Sequence, residues 1–185
     1  MIRILDIFFS LISLVVLSPI IFLIMILCWL DTQSPIFYQK RVGYNKKTFL
    51  LFKFRTMNLN ALSVGTHLVD KSLITLLGQI LRKTKLDELP QLWNVIVGEM
   101  SLVGPRPGLP NQKELTKARQ RLGVYKVKPG ITGLAQIKKI DMSTPTKLAE
   151  IDLYMIKTMS FKNYFKYLFL TLKGNGQGDQ VKITL

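Results

Sequence analysis

Asp87 and Glu88 stand side by side in the stretch Lys85-Leu86-Asp87-Glu88-Leu89-Pro90-Gln91, and nowhere else in the chain do two acids adjoin. Acids are scarce: 11 Asp and Glu against 26 Lys and Arg in 185 residues, for a formal charge of +15. Cations flank the pair, with Arg82, Lys83 and Lys85 before it and Arg106 after it. Such a pair suits phosphoryl chemistry. An ionised Asp87 beside a Mg²⁺-bound diphosphate could attack phosphorus, with Glu88 (and Asp87 itself) as the metal ligand. A second reading stays open, because Thr84-x-x-Asp87 is also a capping box and acids in a first helical turn are routine.

Other residues suit phosphate. Gly104-Pro105-Arg106-Pro107 holds an arginine between two prolines, in a stiff, extended backbone that pre-sets the guanidinium for bidentate contact. A tight turn with a surface arginine has the same pattern. Lys53 and Arg55 alternate with Phe52 and Phe54, so they are either phosphate contacts or a solvated basic face. Lys128-Pro-Gly-Ile-Thr-Gly133 is a compact loop that could expose amides to an anion. The only histidine, His67, reads as a solvated loop residue.

These residues need elements to position them. With Asp87 as N-cap, Pro90 falls at N3, where its missing N–H costs nothing. Leu89, Leu92, Trp93 and Ile96 then form an apolar face, and Gly98 stops the helix. The acids would sit at the positive end of its dipole, which lowers a carboxylate pKa and attracts phosphate. Pro35–Arg41 and Lys47–Met57 read as two strands of a hairpin, joined at Gly43-Tyr44-Asn45, with one aromatic and one basic face. Residues 58–72 read as a loop. Helices are predicted over 73–83, 109–123 and 146–159. Phe161–Lys173 reads as an interfacial amphipathic helix with Phe161, Phe165, Leu168, Phe169 and Leu172 on one face, or as a core helix with solvated lysines. The tail after Gly174 reads as frayed.

Hydrophobic residues make up 48% of the chain, and mean hydropathy is +0.25. Much of this lies in Ile7–Leu30, long enough for a membrane helix and too long for a cleaved signal. Ser18-Pro19 interrupts it. Proline removes one helical hydrogen bond, and the Ser18 hydroxyl is placed to serve the freed carbonyl. Basic residues flank both ends (Arg3; Lys40 and Arg41), so charge does not orient a span. A kinked span and a re-entrant hairpin both fit. Cys28 is the only cysteine, which excludes an internal disulfide and a cysteine metal site. No zinc, helix-turn-helix or RNP-like pattern points to nucleic acid.

Taken in order, several segments resemble the small bacterial sugar transferases, the monotopic polyprenol-phosphate phosphoglycosyl transferases. They are the segment with Ser18-Pro19, Phe52-Lys-Phe-Arg-Thr-Met57, Arg82, Leu86-Asp-Glu-Leu-Pro-Gln91, Asn94-Val95, Gly98-Glu-Met-Ser-Leu-Val-Gly-Pro-Arg-Pro107, Lys128-Pro-Gly-Ile-Thr-Gly133 with Ala135-Gln136, and Asp152-Leu-Tyr154. The resemblance implies a two-step transfer. Asp87 takes the phosphosugar from a UDP-sugar with release of UMP, Glu88 binds Mg²⁺, and Arg82 and Arg106 orient phosphates. Polyprenol (undecaprenyl) phosphate then accepts the phosphosugar, starting lipid-linked glycan synthesis. It also implies a re-entrant break at Ser18-Pro19 and a place on the cytoplasmic face of the bacterial inner membrane. The implied partners are donor, acceptor, bilayer and downstream glycosyltransferases, with no nucleic acid.

Two departures stand out. Leu134 replaces the family's frequent Trp and is followed by Ile137-Lys138-Lys139 instead of Val-Asn-Gly-Arg. Tyr164 stands where many members have an acceptor-activating Asp. Neither family role is carried over to this chain.

The expected fold is α+β and mostly helical: a re-entrant membrane helix-break-helix over 1–30, then a cytosolic catalytic domain over 31–185 with a β-hairpin and interfacial amphipathic helices. The rival reading is a non-catalytic basic module that binds membranes.

Overall fold

Pro19 has no N–H to offer the carbonyl of Val15, and the Ser18 hydroxyl donates to that carbonyl instead, at 2.7 Å. In the computed structural model, which describes residues 2–59 and 71–174, the apolar segment is accordingly two helices. α1 (Ile2–Val16) and α2 (Ser18–Thr32) meet at a 65° bend. Each has 15 residues, roughly 22 Å at the helical rise, short of a hydrocarbon core of about 30 Å. Among the described residues no single helix is long and apolar enough to cross a membrane, but this bent pair passes the same test together. Ile4, Phe8, Val15, Val16, Phe22 and Leu30 are all more than half exposed. α2 outlasts the expected boundary at 30 and ends where Gln33 turns left-handed (φ 57°).

The first helix is tied into the globular part by two polar residues. Arg3 donates to the carbonyls of Val95 (2.6 Å) and Ile96 (2.9 Å), the end of a later helix. Asp6, 2% exposed, accepts from the Ser101 hydroxyl (2.8 Å), the Leu102 amide (3.0 Å) and the Tyr164 hydroxyl (2.8 Å). Burial, reinforced by Asp6, pushes the Tyr164 phenol well above its ordinary pKa, so it stays a donor. Tyr164 therefore serves a structural carboxylate, Asp6.

The hairpin forms as expected. β1 (Ile36–Val42) and β2 (Thr48–Phe54) pair antiparallel, from Ile36 opposite Phe54 to Val42 opposite Thr48. A 3₁₀ turn, Tyr44–Lys46, joins them. The separate aromatic and basic faces are not realised. Lys53 shares its face with Phe49 and Leu51, all three are buried, and Phe54 is buried on the other side. A carboxylate partner, described below, is what lets a lysine occupy that face.

A second pair of strands was not foreseen. β3 (Ser101–Val103) and β4 (Gly130–Thr132) run parallel. Both are three residues long, too short to show a period. Their close approach needs glycine: a Cβ on Gly130 would lie 2.0 Å from the Gly104 amide nitrogen. The remaining helices are α3 (Leu76–Thr84), α4 (Gln91–Val97), α5 (Lys113–Arg121), α6 (Leu134–Ile137), α7 (Pro145–Lys157) and α8 (Phe161–Leu172). Phe49, Leu51, Val95, Met100, Met155 and Tyr164 belong to the central core.

In α8, Phe161, Phe165, Phe169 and Leu172 are 43–86% exposed, Leu168 packs partly against the central core, and Tyr164 and Tyr167 are buried. Most of the expected stripe therefore faces outward, which an interfacial helix requires. In α3 the expected stripe divides: Leu81 is buried, Leu76 and Ile80 are exposed. The mostly helical α+β class holds, with one hairpin and one added strand pair. His67, most of the expected 58–72 loop and the tail after Gly174 lie outside the described residues.

Removing the Asp6 acceptor strands three buried donors, each worth about 1–3 kcal/mol. Asp6→Ala is therefore expected to destabilise the fold by about 3 kcal/mol or more, against about 1 kcal/mol for Tyr164→Phe. Thermal unfolding in detergent checks the ranking, and equal losses would count against Asp6 as the shared acceptor.

Candidate active site

α3 is stopped by Lys85, whose left-handed backbone (φ 61°) turns the chain. Leu86–Glu88 then forms a 3₁₀ turn, closed by Glu88 N–H to Lys85 O (3.2 Å) and Leu89 N–H to Leu86 O (3.2 Å). The expected N-cap at Asp87 is not formed. The cap position is Pro90, with no side-chain cap, and α4 starts at Gln91. Pro90 offers no N–H to the carbonyls before it, so the regular ladder begins beyond it. The capping box fails as well. The Thr84 hydroxyl donates backward to Ile80 O at 2.8 Å and finishes α3. With α4 only seven residues long and starting three residues after Glu88, its dipole cannot be what governs the acids. Both readings that made the pair a helix terminus are therefore corrected.

Cations gather at the acid pair, one buried (Lys53) and two half-buried (Arg106 and Lys85). Asp87 is 2% and Glu88 6% exposed. Oε1 of Glu88 accepts from Arg106 Nη2 at 2.9 Å and lies 3.4 Å from Lys53 Nζ. Strand β2 and the Pro-Arg-Pro loop thus meet on one carboxylate oxygen. Burial draws the Lys85 ammonium below the ordinary lysine pKa; Glu88 works against this and Arg106 adds to it. This is a dry, cation-rich setting, where charge on a transferring phosphoryl group is stabilised far more than in water.

The backbone around Arg106 is fixed by four successive carbonyls, each with a donor from elsewhere. Pro105 O accepts from Gly130 N–H (3.0 Å), Arg106 O from Arg119 Nη1 (2.8 Å), Pro107 O from Arg41 Nη1 (3.0 Å) and Gly108 O from Val42 N–H (2.9 Å). Arg119, 1% exposed, is itself held by Asp152, whose Oδ2 accepts Nε at 2.9 Å and Nη2 at 2.7 Å. Burial raises the Asp152 carboxyl and Arg119 opposes that. The tight surface turn is thereby excluded: Arg106 is a guanidinium on a clamped loop.

Asn94 positions Lys53. Fully buried on α4, it accepts from Phe52 N–H (3.1 Å) and donates to Leu50 O (2.7 Å), standing in for a neighbouring strand beside β2. The other expected phosphate contacts have further partners. Arg55 donates to Ser34 O at 2.9 Å and lies over the Phe37 ring. Arg82 Nε donates to the Thr56 hydroxyl at 2.8 Å. Residue-by-residue reading missed Arg119 and Arg41, whose contacts with the Arg106 loop are remote in sequence and leave no local pattern. Asn94 did carry a signal, as a polar residue inside the apolar run of α4.

Among the described residues no three His, Cys, Asp or Glu side chains converge on a metal site. Mg²⁺ does not need three. It keeps several waters and is bound through one or two carboxylates plus substrate phosphates, and the adjacent Asp87 and Glu88 fit that donor set.

Comparison with known proteins agrees with this architecture. A family model for bacterial sugar transferases matches residues 1–176. The uncharacterized sugar transferase EpsL of Bacillus subtilis is 42% identical over 78% of this chain and 71% of its own length. The exopolysaccharide production protein ExoY of Sinorhizobium fredii is 35% identical over 90% of this chain and 81% of its own. The UDP-glucose:undecaprenyl-phosphate glucose-1-phosphate transferase of Klebsiella pneumoniae is longer: 38% identity covers 92% of this chain but 39% of that protein. On a match that runs through both helices of the bent segment, the acid pair and the clamped Arg106 loop, the chain belongs to the bacterial sugar transferase family.

Proposed function

We propose that this chain transfers a phosphosugar from a UDP-sugar to polyprenol (undecaprenyl) phosphate, releasing UMP and starting a lipid-linked glycan. The observation that carries the reading is the buried Asp87-Glu88 pair with Arg106 and Lys53 on Glu88. In the first step an Asp87 carboxylate oxygen attacks the sugar-bearing β-phosphorus. The bond from that phosphorus to the bridging oxygen breaks, and UMP leaves with the electron pair. In the second step a phosphate oxygen of the acceptor attacks the same phosphorus, and the Asp87 carboxylate departs. Splitting the transfer lets one site serve a water-soluble donor and a lipid acceptor in turn.

The residues divide the work. Arg106 and Lys53 meet the phosphate oxygens as charge shifts, and the clamped loop keeps the guanidinium from relaxing away. Mg²⁺, when held by Glu88 and Asp87, would supply Lewis-acid polarisation of the diphosphate. The bent α1–α2 pair with its exposed apolar side chains supports a re-entrant anchor on the cytoplasmic face of the bacterial inner membrane. The exposed Phe/Leu side of α8 supports an interfacial position beside it.

Asp87→Asn is expected to abolish UMP release from UDP-sugars with undecaprenyl phosphate present. Undiminished release would sink the mechanism, and a non-catalytic membrane-binding module predicts no UMP from either protein. Arg119→Lys keeps a charge but loses the fork that serves Asp152 and Arg106 O together. It should lower kcat about tenfold or more, and adding Arg106→Ala should cost little further if both act through one element; full additivity would mean that Arg119 does not work through Arg106. Reporter tags at the two termini should be found on the same side of the membrane, and opposite sides would replace the re-entrant hairpin with a span.

A further inference from the structure

Gln91 opens α4 and is 2% exposed. Among the described residues its side-chain Nε2 has no hydrogen-bond partner. Asn94, the next amide on the same helix, has both ends engaged: Oδ1 accepts from Phe52 N–H, and Nδ2 donates to Leu50 O and Glu99 Oε2. A buried N–H that is left unmet loses its hydration and recovers nothing. Buried donors are nearly always paired, so an orphan beside a reacting centre points to an acceptor that comes with the substrate.

Local geometry turns this donor toward the acids. The 3₁₀ turn Leu86–Glu88 runs through Leu89 (φ −54°, ψ −38°) and Pro90 (φ −61°, ψ −18°) into α4 with no extended residue between. Leu92 N–H to Leu89 O and Trp93 N–H to Pro90 O, both 3.1 Å, carry the backbone bonds across the join. Gln91 stands three residues after Glu88 and four after Asp87, the spacing that sets side chains on one face. Helical side chains also lean back over the preceding turn, which here holds the pair. Yet Nε2 donates to neither carboxylate. Glu88 Oε1 already carries Arg106 and Lys53.

The group that must come within bonding reach of Asp87 is the phosphoryl group, and its non-bridging oxygens are acceptors. The nucleobase and the sugar hydroxyls lie further from the attacked phosphorus. We infer that Gln91 is a substrate-contacting residue whose Nε2–H donates to a non-bridging oxygen of the phosphoryl group as it passes to and from Asp87. The inference rests on the proposed transfer and adds a neutral donor that no charge pattern marks. Negative charge lies on these oxygens in the transition state, so the bond acts on kcat more than on KM.

The test measures UMP release and thermal unfolding of the full chain in detergent, with a UDP-sugar and undecaprenyl phosphate. Gln91→Met keeps the length of the side chain and removes the donor. Its kcat should fall about 100-fold, with KM for the UDP-sugar changed by less than about threefold. Its melting temperature should stay level or rise, because an orphan donor has left a dry site. The reverse pattern, a lower melting temperature with kcat unchanged, would make the amide structural and overturn the inference. Gln91→Glu supplies a second readout that does not depend on how the Met variant folds. The introduced carboxyl is a donor only when protonated, so kcat relative to wild type should climb as pH falls and pass above that of Gln91→Met. A flat ratio, or a climb that stops at the Met level, would mean relief of repulsion alone and would also overturn it. Wild type and Asp87→Asn run alongside. If wild type releases UMP and Asp87→Asn does not, failure of the Gln91 variants to respond counts against Gln91 only; no UMP from wild type would overturn the transfer and this inference together.

Discussion

A carboxylate withdrawn from water needs cations or hydrogen-bond donors in contact with it. Glu88 meets that condition through Arg106 and Lys53, and much of the fold answers the demand these two cations make. Lys53 reaches Glu88 because Asn94 docks β2 on α4. Arg106 reaches it because four carbonyls of its loop are gripped from three directions in the chain. The buried Arg119–Asp152 pair is one remove further out and does the same job at second hand. Stability and site geometry are here the same set of contacts.

The candidate site residues were more legible in the sequence than their setting. The acid pair, the hairpin, the bend at Ser18-Pro19 and the helices near 76–84, 145–157 and 161–172 could all be read from local pattern, because each depends on residues a few positions apart. The hydroxyl of Ser18 replaces the lost amide of Pro19 at the carbonyl expected for it. Where reading failed, either the neighbouring backbone or a distant partner decided the outcome. Asp87 looked like a cap because its local pattern is that of a cap, but Lys85 in the left-handed region and the missing amide of Pro90 delay α4. Lys53 read as either solvated or a phosphate contact because its carboxylate partner lies 35 residues away. The parallel strands were invisible at three residues each.

The departures from the family pattern have structural explanations in part. Tyr164 occupies the place of a frequent acid and hydrogen-bonds to Asp6, a carboxylate from the other end of the chain. Leu134 is buried, and its amide contacts the Met155 sulfur. Nothing in the structure explains the Lys138-Lys139 sequence that follows.

The contact between Asp6 and Tyr164 spans 158 positions, and that has a consequence for synthesis. At 5–20 residues per second, roughly 8–30 s pass between the emergence of the two residues. Until α8 and β3 arrive, Asp6 has none of its three donors, and a bare carboxylate keeps the first turns of α1 in water. The bent helix pair and the globular part would then be closed by one late clasp, and the order of translation becomes part of how the protein folds.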